Sequence, residues 1–340
     1  MLKRVHAALA VLPTVVAIGF ATPASADAVA DFYKGKTVTV MVPSGLGASL
    51  GLYGRLVTEF IGSHIPGNPT VVIQERAGGG GTIGAAFAYN AAPKDGTFIA
   101  EILAPSVLMP KLRDMKFDAS KFQWLGSLTP RPAVVSLWHT SPVKTVEDAK
   151  KHEAVMGSSG VGSSTYTIPT LMNELLGTKF KIVKGYKGGG PINKAMEAGE
   201  VHGRMQYWSG WTAGKPTWLR DKQIHHLVKY GGKIPELPNV PQLVDLVKGP
   251  DERAMVRFFE AEAKIGMGFW VAPEVPKERV DALRKAFEAM MADPKFIEAA
   301  DKRKAPIELI KHDELAAVVA DVYATPAPVL ERIKKIMEFK

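Results

Sequence analysis

Four stretches of this chain carry the residue types that hold an anion without covalent chemistry. They are Ser44-Gly45-Leu46-Gly47-Ala48-Ser49, Ala77-Gly78-Gly79-Gly80-Gly81-Thr82, Gly157-Ser158-Ser159-Gly160-Val161-Gly162-Ser163-Ser164-Thr165 and Gly185-Tyr186-Lys187-Gly188-Gly189-Gly190. Glycine lets the backbone turn through left-handed conformations and come close to a ligand. Serine and threonine add hydroxyl donors. Such a loop at the start of a helix aims N–H groups and the positive end of the helix dipole at one point. Phosphate and carboxylate are served alike.

The same residues offer two rival chemistries. Gly157-Ser158-Ser159-Gly160 is one residue short of the G-x-S-x-G elbow, which leaves Ser158 or Ser159 as the nucleophile of an exported hydrolase. Gly45-x-Gly47-x-x-x-Gly51, with Glu75 ending the next strand, is one residue longer than the fingerprint of a dinucleotide-binding oxidoreductase. No Gly-Lys-Ser or Gly-Lys-Thr closes a glycine run, so there is no P-loop. His225 and His226 are adjacent and would face opposite sides of a strand, which argues against a shared metal. Cysteine is absent, so thiol nucleophiles and cysteine metal sites are excluded. Trp208 and Trp211 fit either a pocket wall or hinge packing.

The elements that must position these loops follow a repeating pattern. Val38, Val40 and Val42 alternate with Thr39 and Met41, as in a strand. After the glycine turn, Leu50, Tyr53, Leu56, Val57 and Phe60 recur at helical spacing. Residues 69–74 form a second strand, followed by the second loop and a helix that must stop before Pro93. The same order recurs around 155–177 and 180–198, with Gly177 as a helix stop. Strands alternating with helices predict an α/β fold, and glycine loops at successive strand ends predict a site at the carboxyl edge of a sheet.

Lys3 and Arg4, the apolar run 7–20 and Ala24-Ser25-Ala26 read as a signal peptide over residues 1–26. Its removal lowers the formal net charge from +9 to +7. That surplus suits anionic metabolites, and no long basic run with interleaved aromatics points to nucleic acid. The remaining length, about 310 residues, predicts two domains.

Several longer motifs resemble one family. Residues 31–38 (DFYKGKTV), 64–69 (HIPGNP), 92–97 (APKDGT), 173–177 (NELLG), 184–188 (KGYKG) and 198–203 (AGEVHG) are similar to the periplasmic solute-binding receptors of tripartite tricarboxylate transporters, the Bug receptors. The resemblance covers essentially the mature chain. It implies a type II periplasmic-binding-protein fold with two lobes, each a mainly parallel sheet flanked by helices. Residues 31–132 would form the first lobe and 133–271 the second. Residues 272–340 would return to the first lobe and add C-terminal helices. The implied function is capture of a small organic anion, with carboxylate the leading class, and delivery to the transporter's membrane subunits. No cofactor and no enzymatic activity are implied.

Carried onto this chain, the first loop supplies Ser44, Gly45, Gly47 and Ser49, and the second Ala77, Gly78, Gly79 and Thr82. The distal loop supplies Gly160, Ser163 and Thr165. Tyr186, Gly188 and Trp208 complete the expected ligand contacts. The chain departs from the family at four points. Leu46-Gly47-Ala48 stands for a proline-glycine-glycine turn, Gly51 for an aspartate, Glu75 for an asparagine and Ala77 for a proline. Glu75 is expected to point away from the ligand or to pair with Arg76.

Overall fold

The computed structural model describes residues 24–46 and 49–337. Nearly all of the expected signal peptide lies outside them, as does Gly47. The strands are β1 (Thr37–Val42), β2 (Thr70–Glu75), β3 (Phe98–Glu101), β4 (Gln123–Ser127), β5 (Ala133–Trp138), β6 (Ala154–Gly157), β7 (Phe180–Val183), β8 (Gly203–Tyr207), β9 (Ile224–Tyr230), β10 (Gly268–Val271) and β11 (Ile310–Lys311). They build a six-stranded sheet, ordered β11-β4-β10-β3-β1-β2, and a five-stranded sheet, ordered β7-β6-β8-β5-β9. Helices cover both sheets.

β1 is interior to its sheet and is buried on both faces. Val38, Val40 and Val42 pack under the helices Ser49–Phe60 and Lys277–Ala292, while Met41 packs under Thr82–Asn90. This explains a strand whose alternating positions are all apolar or threonine. The strand–loop–helix units run parallel: β1 with β2 and β3, and β6 with β7 and β8. The strands next to the lobe crossings run the other way. β10 is antiparallel to β3 and β4, and β5 to β8 and β9. The sheets are therefore mixed, because a chain that crosses between lobes at the loop edge must enter the next sheet from that edge.

Two crossings lie side by side. The Leu128 N–H donates to the Met267 carbonyl at 3.0 Å, Met267 N–H to Thr129 at 3.1 Å, and Arg131 N–H to Ala263 at 2.7 Å. Gly266 sits at φ 56°, where a Cβ would come within 2.0 Å of the Thr129 oxygen, so only glycine fits. β10, which a boundary at 271 assigns to the second lobe, lies in the first sheet. The last helix, Ala327–Ile336, also departs from expectation. Its Val329, Leu330 and Ile333 join the core that contains Val135, Met156 and Met205 of the second sheet.

Candidate functional site

The carboxyl ends of β2, β3 and β6 face one cleft. After β2, Gly78, Gly79, Gly80 and Gly81 have φ of 128°, 56°, 64° and 90°. This run of positive φ turns the backbone tightly into the helix Thr82–Asn90. The Thr82 hydroxyl donates to the Gly79 carbonyl at 2.8 Å and clips the loop to the helix start. A Cβ on Gly80 would meet nothing within 4 Å, so that residue borders open space.

The loop after β6 is organised by one hydroxyl. Thr165 Oγ1 receives the Ser159 N–H at 3.1 Å and lies within 2.5 Å of Ser163 Oγ and 3.2 Å of Ser158 Oγ. The loop leads into the helix Ser164–Leu176. Together with Pro105, Ser106, Met109, Arg113 and Met115, the two loops enclose a cleft of ≈ 330 Å³. Two helix starts and one guanidinium border it, so the space favours negative charge.

Residues 63–334 match the tripartite tricarboxylate transporter receptor family. The chain belongs to this family. The receptor is 26% identical over 319 residues to a UPF0065 protein of the TAR-I ttuE-ttuC' intergenic region of Agrobacterium vitis, covering 91% of this chain and 83% of that one. Its fold is that of a TctC solute-binding protein from Polaromonas, with a TM-score of 0.65 and 19% identity, over 90% of this chain and 99% of the other. R. palustris Rpa4515, solved with adipate, superposes with a TM-score of 0.61 at 22% identity, over 89% of this chain and 97% of that one.

In this receptor Gly79, Thr82, Gly160 and Ser163 line the cleft. Ala77 and Gly78 sit on the same loop just outside it. Thr165 lies behind the surface as the hub of its loop, because its hydroxyl is taken up by neighbours. Tyr186 and Gly188 belong to the adjacent loop, where the Tyr186 N–H donates to the Ser158 carbonyl at 3.2 Å. They do not line the cleft, and neither do Ser44, Gly45 and Ser49. Trp208 lines a separate pocket at the lobe crossing.

The first loop differs most from expectation. Glu75 is exposed and does not line the cleft, and it does not pair with Arg76. Its Oε2 accepts the Leu46 N–H at 3.1 Å, while Arg55 donates to the Leu46 carbonyl at 2.7 Å. Arg76 instead stacks on Phe87, 3.5 Å from the ring centroid. Glu75 thus occupies a donor that the glycine pattern assigns to the ligand. Gly51 faces the same backbone, and a Cβ there would lie 2.2 Å from the Leu46 oxygen. The Leu46 backbone occupies the room that a side chain at position 51 would need.

Glycine spacing misses Met109, Arg113 and Met115, which follow β3 and contain no turn motif. The rule that ligands gather at strand carboxyl ends would have reached them. It also misses a buried group of charges between the lobes. Glu101 ends β3, and neither carboxylate oxygen has a hydrogen-bond partner among the described residues. Burial pushes its pKa well above the usual range, opposed by Arg131. Burial likewise raises Glu262 to about 7, opposed by the Ser164 hydroxyl, which donates to it, and by Arg131. His226 is pushed down to about 4 by burial, and its Nδ1 lies 2.9 Å from Ser136 Oγ.

Proposed function

We propose that this receptor captures a small organic carboxylate in the loop cleft and delivers it to the membrane subunits of a tripartite tricarboxylate-type transporter. It would work in the periplasm, after export by residues 1–26. One observation carries the reading: two donor loops from different sheets, Gly79–Thr82 and Gly160–Ser163, border one cleft with Arg113. A ligand bridging them gains contacts from both lobes only when the lobes are close, so binding favours closure. The adipate seen with the R. palustris protein supports carboxylate as the class.

Neither rival chemistry has comparable support. Ser158 is fully buried, and its Oγ accepts the Gly160 N–H at 3.1 Å. No histidine bonds Ser158 or Ser159 among the described residues, so neither hydroxyl has a base to activate it. The acidic residue that would hold a ribose, Glu75, is engaged with Leu46.

Thermal-shift screening of succinate, glutarate, adipate and benzoate, followed by calorimetry, tests the reading. At least one aliphatic dicarboxylate should raise the melting temperature. Gly79→Val should weaken its binding by about tenfold or more, because the new Cβ would lie 2.6 Å from Thr82 Oγ1 at a φ that valine avoids. Full affinity in Gly79→Val would remove this loop from the site, and no stabilisation by any of the three aliphatic dicarboxylates would sink the carboxylate assignment.

A further inference from the structure

The lobe crossing holds a second pocket, of ≈ 320 Å³, which shares no lining residue with the loop cleft. Its apolar walls include Tyr53, Pro130, Pro132, Trp208, Pro235 and Met267. They come from the first lobe, the second lobe and the crossings. The Tyr53 hydroxyl already donates to the Pro306 carbonyl at 2.8 Å, so this residue offers a ring and not a donor.

Two donors in the pocket lack acceptors. Arg131 lines it and stacks on Tyr207, 3.9 Å from the ring centroid. Its Nε is buried without a hydrogen-bond partner, and the side chain enters no ion pair among the described residues. The Trp208 indole N–H is also buried and unpartnered. The other charged residues of the pocket are one lysine, Lys233, and two glutamates, Glu236 and Glu308; all three are exposed and screened by water. Glu101 and Glu262 feel the Arg131 charge but do not hydrogen-bond to it, and burial shifts both carboxyls upward against that attraction. Arg131 is therefore the one charged residue lining the pocket that is not exposed, and its Nε has no hydrogen-bond partner among the described residues.

We propose that this pocket is a second ligand site, which takes a carboxylate carried on a flat apolar body, with Arg131 as its counter-ion and the Trp208 N–H as a second donor. A carboxylate matches the planar fork of a guanidinium and would satisfy the buried Nε. Tyr53, Trp208 and the prolines would cover an aromatic body. The inference stands apart from the loop cleft, because none of its residues belong to that site.

Calorimetric titration with benzoate, and with benzamide as its uncharged counterpart, tests this on the mature chain. Benzoate should bind saturably and benzamide should not. Arg131→Gln should weaken benzoate about tenfold or more, and Trp208→Phe, which keeps the ring but loses the donor, about two- to fivefold. Gly79→Val should leave benzoate unchanged, and adipate should keep its affinity in Arg131→Gln. If Arg131→Gln fails to fold, Arg131→Lys takes its place and should still weaken benzoate severalfold, since a point charge loses the fork. Equal affinity for benzoate in the arginine variant, loss of benzoate in Gly79→Val, or no saturable binding at millimolar benzoate overturns the proposal. Failure of adipate to bind bears on the loop cleft alone.

Discussion

Replacing Glu262 with glutamine should stabilise the receptor in alkaline solution and do little in acid. Glu262 is 3% exposed and stands at the interlobe end of the helix Pro250–Ile265. Its folded pKa of about 7 exceeds its reference value of 4.5, so the folded state holds the proton more tightly than the unfolded chain does. The stability contributed by that proton is complete below about pH 4.5 and is lost as pH rises through 7. A difference of this size corresponds to about 3 kcal/mol. Glutamine keeps an acceptor for the Ser164 hydroxyl and never ionises. The gap between Glu262→Gln and wild type should therefore widen by about 3 kcal/mol between pH 4 and pH 8. Urea denaturation at several pH values, read as the difference between the two proteins, measures it. His226 works in the opposite direction, since its depressed pKa removes stability as pH falls from 6.5 through 4. That contribution is common to both proteins and cancels. A gap that stays constant from pH 4 to pH 8 would refute the view that Glu262 is held neutral by burial.

Two further outcomes concern the first loop. Gly51→Asp restores an acidic side chain, but its Cβ would overlap the Leu46 carbonyl at 2.2 Å. It should cost about 1–3 kcal/mol of stability, and a melting temperature equal to wild type would show that the loop yields freely. With no carboxylate at position 51 and Glu75 bonded to Leu46, a ligand ammonium group has no partner in this loop. Succinate should outcompete aspartate, and glutarate should outcompete glutamate, in paired titrations. Tighter binding of the amino acid in both pairs would mean that another acidic residue, with Glu75 the first candidate, faces the ligand.

Local pattern was enough to place the glycine loops on the right edge of both sheets. The valine alternation at 38–42 marks a strand, and the glycine turns that follow mark its carboxyl end. Gly177 ends its helix at φ 70°, as its position after Leu176 predicts. Thr145 and Asp148 form a reciprocal cap at the start of Val146–Lys151. These features depend on a few neighbouring backbone angles and on side-chain spacing, which a sequence carries directly.

What the pattern could not show is which donors remain free. Leu46 and Glu75 are 29 positions apart, and only the parallel pairing of β1 with β2 sets Val42 beside Glu75 and brings that carboxylate to the loop. Thr165 reads as a ligand hydroxyl but is consumed by Ser159 and Ser163. Arg131 belongs to no sequence motif, and only the packing of the two crossings sets its guanidinium against Tyr207. β10 looks like the end of the second lobe, although its partners β3 and β4 lie more than 140 residues earlier. The sequence by itself determined the strand–loop–helix units, the family and the anion-favouring character of the loops. Tertiary structure alone decided the mixed strand order, the occupied first loop and the unpaired Arg131. The reason is physical: backbone turns are settled by adjacent residues, whereas burial, pairing and charge state are settled by groups that meet only when distant segments pack.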